Sequence, residues 1–165
     1  MTQNKSFTLR QATESDRMYL QRLNFLADVF GDETAPVGHE ERLGVTDYVD
    51  HWDPERDGGI IACDEFRTPA GGVWLRYWDT PDAGHANLGP DVPELAIAVE
   101  RRFAGHRLGS KLLRAVIELA AQQGAPRVAL WVDPDNERAR HRYEQFGFTA
   151  VADVANVMVF DCNVG

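Results

Sequence analysis

Two runs of five apolar residues, LAIAV at 95–99 and VALWV at 128–132, each run into a segment with helical periodicity. No other feature narrows the possible folds as much. Uninterrupted apolar runs of this length read as short strands buried on both faces. The first, ELAIAVE, passes through RRFAGHR into LGSKLLRAVIELAAQQ, a helix closed by Gly124 and Pro126. The second, RVALWV, passes into DPDNERARHRYEQF, with Asp and Asn at its start and Gly147 just past its end. A strand–helix–strand–helix order calls for neighbouring strands covered by helices.

The flanking segments extend this unit. SFTLRQAT (6–13) alternates like a half-buried strand. SDRMYLQRLNFLADVF (15–30) carries Met18, Leu20, Leu23, Leu26 and Val29 at helical spacing. GDETAPVGHE (31–40) reads as a loop and ERLGVTDYVDHW (41–52) as a weaker helix. GGIIACDEF and AGGVWLRYW read as paired strands around a turn near Arg67–Gly71, followed by the polar, proline-containing loop 79–93. FTAVADVANVMVFDCN reads as two strands joined around Asp153–Asn156. The expected order is β-α-α-β-β-β-α-β-α-β-β, an α/β fold with a mixed central β-sheet and helices on both faces. Residues 1–165 are expected to form a single domain, a size that suffices for one core.

The formal net charge of −9 disfavours nonspecific binding to nucleic acid or anionic lipid. Cys63 and Cys162 have neither metal-ligand spacing nor a disulfide pattern, so no metal site is expected, and a reducing, cytoplasmic setting is. MTQNKSFTLRQ lacks the apolar centre of a signal peptide, and no apolar run approaches the ~20 residues of a membrane helix.

Against this acidic background, five of the 17 Lys and Arg residues fall between 101 and 114: Arg101, Arg102, Arg107, Lys111 and Arg114, with His106 among them. A strand, a glycine-containing turn and a helix start together form an anion receptor, because the first helical N–H groups lack intrahelical partners. Gly105 and Gly109 let a ligand approach the backbone, and the cations can bond phosphate oxygens. The spacing fits neither a P-loop nor a dinucleotide G-x-G-x-x-G. Taken alone, the segment also reads as an ordinary turn with solvated arginines.

The rest of the chain favours the receptor. V-E-R-R-F-A-G-H-R-L-G-S-K-L-L (99–113) resembles the phosphate-binding motif Q/R-x-x-G-x-G/A of the GNAT superfamily of acyl-CoA N-acyltransferases. Gly109 occupies the last glycine position. Ala104 stands where Gln or Arg is usual, and Arg107 where the first glycine is. N-E-R-A-R-H-R-Y-E-Q-F-G-F (136–148) matches the family pattern N-x-x-A-x-x-x-Y-E-x-x-G-F at every specified position. The element order also agrees from end to end.

The resemblance implies that the strands at ELAIAV and VALWV splay apart to receive the cofactor, acetyl-CoA. Ile97, Ala98 and Val99 would pair with its pantetheine. Ala104, Gly105, His106, Arg107, Leu108, Gly109 and Ser110 would hold its pyrophosphate, and Asn136 would contact it. Asn136 and Tyr143 lie two helical turns apart, about 10 Å along the axis. From its neighbours Ala139 and Phe146, Tyr143 reads as core packing; the resemblance implies a place near sulfur and the role of general acid. Glu94 heads an apolar strand, where burial should raise its pKa and suit it to act as a general base, directly or through water. The implied activity is acetyl transfer to a primary amine, on a small molecule or peptide, by direct attack in a ternary complex. A non-catalytic acyl-CoA-binding module of the same fold is the alternative, and homodimerisation is common in the family.

Overall fold

The computed structural model describes residues 6–28 and 46–163. Loop 31–40 and the first part of the weaker helix at 41–52 lie outside the described residues. The chain forms β1 (Thr8–Gln11), a 3₁₀ turn (Glu14–Asp16), α1 (Arg17–Asp28), a π-helical turn (Thr46–Asp50), β2 (Gly59–Cys63) and β3 (Pro69–Arg76). It continues through β4 (Glu94–Val99), a 3₁₀ turn (Arg101–Phe103), α2 (Leu108–Gln122), β5 (Arg127–Trp131), α3 (Glu137–Phe146), β6 (Thr149–Ala150) and β7 (Val157–Asp161).

The strands form a seven-stranded mixed sheet in the order β1-β2-β3-β4-β5-β7-β6. β4 and β5 run parallel and every other neighbouring pair antiparallel. Strand alternation sends Val73, Leu75, Leu95, Val128 and Leu130 to one face, where Leu108, Leu112, Leu113, Val116 and Ala120 of α2 cover them. Ile61 and Trp74 point to the opposite face, beneath Leu20, Leu23 and Leu26 of α1, Val49 of the π turn, and Trp52. Arg17 fastens that second layer: its guanidinium donates to the carbonyls of Val49 and Trp52 and to Glu14.

The turn between β2 and β3 falls at 64–68 rather than 67–71. The Asp64 carboxylate accepts the amides of Phe66 (2.9 Å) and Thr68 (2.8 Å), so the chain has already reversed when β3 begins at Pro69. A larger departure concerns LAIAV. Of β4, Glu94 and Leu95 are buried and residues 96–99 are only half-buried. The cause is local: among the described residues, β4 and β5 share one register pair, Glu94↔Ala129, with the Ala129 amide donating to the Pro93 carbonyl at 2.9 Å. Past that pair the strands part.

Candidate active site

The parting of β4 and β5 exposes a defined set of backbone groups. β4 alternates its peptide groups between neighbours, and the Pro93 carbonyl faces β5, so those of Ile97 and Val99 face β5 as well. Beyond the single β4–β5 pair they have no strand partner among the described residues. Ala98 lies opposite Gly72 of β3 in the antiparallel register, so its peptide group faces away from the gap. A buried strand rarely leaves such groups unpaired.

The path from β4 to α2 is held from both sides. Glu100 is buried and accepts from Arg22 (2.6 Å) and Tyr19 (3.2 Å) of α1, while its amide donates to Ala70 at 2.9 Å. The 3₁₀ turn that follows buries Phe103 and leaves Arg101 and Arg102 exposed along a cavity of about 530 Å³ that reaches back to Tyr19 and Arg22. Ala104 and Gly105 then lead to His106, whose ring lies 6.0 Å from that of Phe7. Gly105 takes φ +87° and Arg107 takes φ +58°, both left-handed. Arg107 thus adopts the conformation that a glycine would adopt more cheaply, at the very position where the family motif has one.

Arg107 is the N-cap of α2 and supplies no side-chain cap. The first amide of α2 to bond back is that of Lys111, which donates to the Arg107 carbonyl at 3.3 Å. The amides of Leu108, Gly109 and Ser110 therefore remain at an open helix terminus beside the exposed Arg107 and Lys111. Among the described residues, a Cβ placed on Gly105 or Gly109 would meet nothing within 4 Å apart from its chain neighbours and the helix backbone, so the space beside both glycines is open. Uncapped amides, adjoining cations and open space suit a diphosphate, and the unpaired edge of β4 suits an amide-bearing arm. The residues fit a coenzyme A.

Tyr143 projects from α3 onto the α2 face of the sheet, in the cluster that includes Ile97 and Val99, with its ring 5.9 Å from that of Phe148. Burial pushes its hydroxyl up to about 12, so the phenol keeps its proton throughout the physiological range. Among the described residues that hydroxyl has no hydrogen-bond partner. Asn136 caps α3, its side-chain oxygen accepting the Ala139 amide at 3.1 Å.

Glu94 lies on the opposite face and is 2% exposed. Its carboxylate accepts from the Tyr48 hydroxyl (2.6 Å), Trp78 Nε1 (3.0 Å), the His85 amide (3.1 Å) and the Ala86 amide (2.8 Å). Burial raises its pKa, and the bonds from Tyr48 and Ala86 oppose that rise. Tyr48 and His85 carried no signal in the sequence; with Trp78, they come from the π turn, the segment just past β3 and the long polar loop, and only folding brings them together. The length of that loop was the sole hint.

The fold and site define an α/β scaffold whose residues fit coenzyme A, and similarity to known proteins agrees. The sequence profile described as the acetyltransferase (GNAT) family matches residues 23–148, and the chain belongs to that family. Acetyl-CoA is the family's cofactor. A curated relative, mycothiol acetyltransferase of Rhodococcus erythropolis, is 31% identical over 68% of this chain and 44% of its own length. The chain spans less than half the length of the curated relatives it matches. Among solved structures, a GNAT-family acetyltransferase of Staphylococcus aureus superposes with TM-score 0.70 at 12% identity, covering 95% of this chain and 99% of that one. An N-acetyltransferase of Thermoplasma acidophilum in complex with coenzyme A superposes with TM-score 0.66 at 13% identity, covering 94% and 99%. At these identities the structural likeness establishes the fold.

Proposed function

We propose that the protein transfers the acetyl group of acetyl-CoA to a primary amine by direct attack within a ternary complex. The observation that carries this reading is the parting of β4 and β5 after one register pair, with the uncapped start of α2 at the end of β4. Bound acetyl-CoA supplies a reactive thioester. The amides of Leu108, Gly109 and Ser110 and the Arg107 guanidinium hold its pyrophosphate, with Ala104, Gly105 and His106 shaping the approach. Ile97 and Val99 pair with the pantetheine, Ala98 lends its small side chain to the strand between them, and Asn136 lies at the start of the helix that carries Tyr143. Tyr143 protonates the departing sulfur, a step suited to a phenol that keeps its proton at neutral pH and has no hydrogen-bond partner among the described residues. A thiolate of pKa about 8.5 takes that proton uphill, so alignment of the reactants carries much of the rate.

Glu94 enters this scheme as the carboxylate that fixes Tyr48, Trp78 and the 85–86 backbone. Both of its oxygens already accept hydrogen bonds, which leaves it poorly placed to take a proton from an amine directly. The relatives named mycothiol acetyltransferase make a small-molecule amine related to mycothiol the first acceptor to test.

Thiol release from acetyl-CoA against a panel of polyamines, amino sugars, peptide amines and cysteinyl amines tests the reading. At least one class should release thiol, and Tyr143→Phe should lower turnover about 10²-fold while CoA binding by calorimetry stays within about twofold. Tight CoA binding without thiol release from any acceptor would identify an acyl-CoA-binding module instead.

A further inference from the structure

The sheet separates two chemistries. Tyr143 lies on the α2 side, whereas Glu94, Tyr48, Trp78 and the loop 79–93 lie on the α1 side of the same β4–β5 junction. The proposed acid therefore occupies one side, and the other side, where an acceptor must lose a proton, has its carboxylate sealed. Among the described residues, His85 is a titratable side chain exposed over that seal.

His85 is held unusually well for an exposed loop residue. Its amide donates to the Tyr48 hydroxyl at 2.9 Å and to Glu94 at 3.1 Å. Its ring stacks on Tyr48 at 5.9 Å and lies 5.0 Å from Trp131, which ends β5 where the strands have parted and is itself 37% exposed. The loop is braced on either side. The Asn87 side chain donates to the carbonyls of Thr80 (2.9 Å) and Ala83 (3.1 Å), and a Cβ on Gly84 would strike the Trp78 ring at 2.3 Å. Among the described residues, the imidazole nitrogens have no hydrogen-bond partner. Among the described residues, the titratable groups facing the ring are Glu94 of β4 and Tyr48 of the π turn, and β5 contributes the uncharged Trp131. An imidazole fixed in direction and free at both nitrogens is prepared to accept a proton from a ligand.

We infer that His85 is the residue that deprotonates the acceptor, a protonated primary amine received at the rim where its ring meets the exposed part of Trp131. This assignment rests on the transferase reading given above. The ammonium gives one proton to an imidazole nitrogen, and the freed lone pair forms the C–N bond to the acetyl carbon. The C–S bond breaks, and sulfur leaves with the electron pair and takes the Tyr143 proton. The surplus proton on the new amide nitrogen returns to the Tyr143 oxygen, and His85 releases its own to solvent. The indole face of Trp131 favours a cationic acceptor over a neutral one.

The test compares His85→Ala and His85→Gln with the unaltered protein, using the acceptor that gives most thiol release in the panel. Both variants should keep the parent melting temperature and CoA affinity, and at pH 7 lose about 10²-fold in kcat. The deficit should shrink towards parity as pH rises to about 10, where the amine arrives neutral. Added imidazole should restore part of the His85→Ala rate at pH 7. Turnover equal to the parent, or a deficit constant with pH and deaf to imidazole, overturns the assignment of His85 and leaves the transferase reading standing. Absence of thiol release from the unaltered protein removes both.

Discussion

Asp16 shows how much a single side chain organises near the N-terminal edge of the sheet. Both of its oxygens accept from the Arg10 guanidinium at 2.8 Å, and one also accepts the Thr13 amide at 2.8 Å, which fixes the turn into α1. These partners, Arg10 foremost, hold the carboxyl below the usual aspartate range. A carboxyl lowered on folding stabilises the fold above its unfolded pKa, near 4, and loses that contribution as pH falls through its lower folded value. Asp16→Asn should therefore cost about 1–2 kcal/mol at pH 7 in urea unfolding, and the gap to the parent should close as pH falls through the lowered folded pKa. Arg107 is instructive in another way. The motif marks it as a departure from glycine, but the sequence cannot reveal that the backbone keeps the glycine conformation and accepts the strain.

At the scale of elements, the N-terminus of α2 separates what folding needs from what binding needs. Gly109 is helical, and among the described residues no atom beyond its chain neighbours and the helix backbone lies within 4 Å of the position of its missing Cβ. Gly109→Ala should raise the stability by up to about 1 kcal/mol through helix propensity, since alanine is the better helix former. The same methyl group would stand over the open amides, so CoA affinity by calorimetry should fall at least tenfold. A fall in both quantities would mean that the glycine serves the fold alone. Much at this scale was readable in advance. The periodicity of 108–123 and the stop at Gly124 gave α2 nearly to the residue, and Asn136 is the cap its position suggested. The failures share a cause. LAIAV reads as a doubly buried strand because its composition is that of one, and composition is silent on whether a neighbour continues alongside. Tyr48 and His85 lie 37 residues apart in the chain, in irregular segments whose approach no local pattern encodes.

Over the whole molecule, the sheet consists of two antiparallel blocks, β1–β4 and β5-β7-β6, joined by one parallel contact. Binding that bridges the blocks should be visible in hydrogen exchange. On adding CoA, the amides of Ile97 and Val99 should slow by at least tenfold, whereas that of Ala98, on the β3 side, should change little. Equal protection of all three would place the ligand elsewhere. At a ligand concentration of 100 Kd, the folded state should gain about 2.7 kcal/mol. Within the sheet the two blocks meet, among the described residues, at one register pair, while α2 covers both from one face. If coenzyme A spans the gap between the blocks, each catalytic cycle opens that seam when product departs and laces it again with the next donor. The scaffold's mechanical integrity would then rise and fall with turnover.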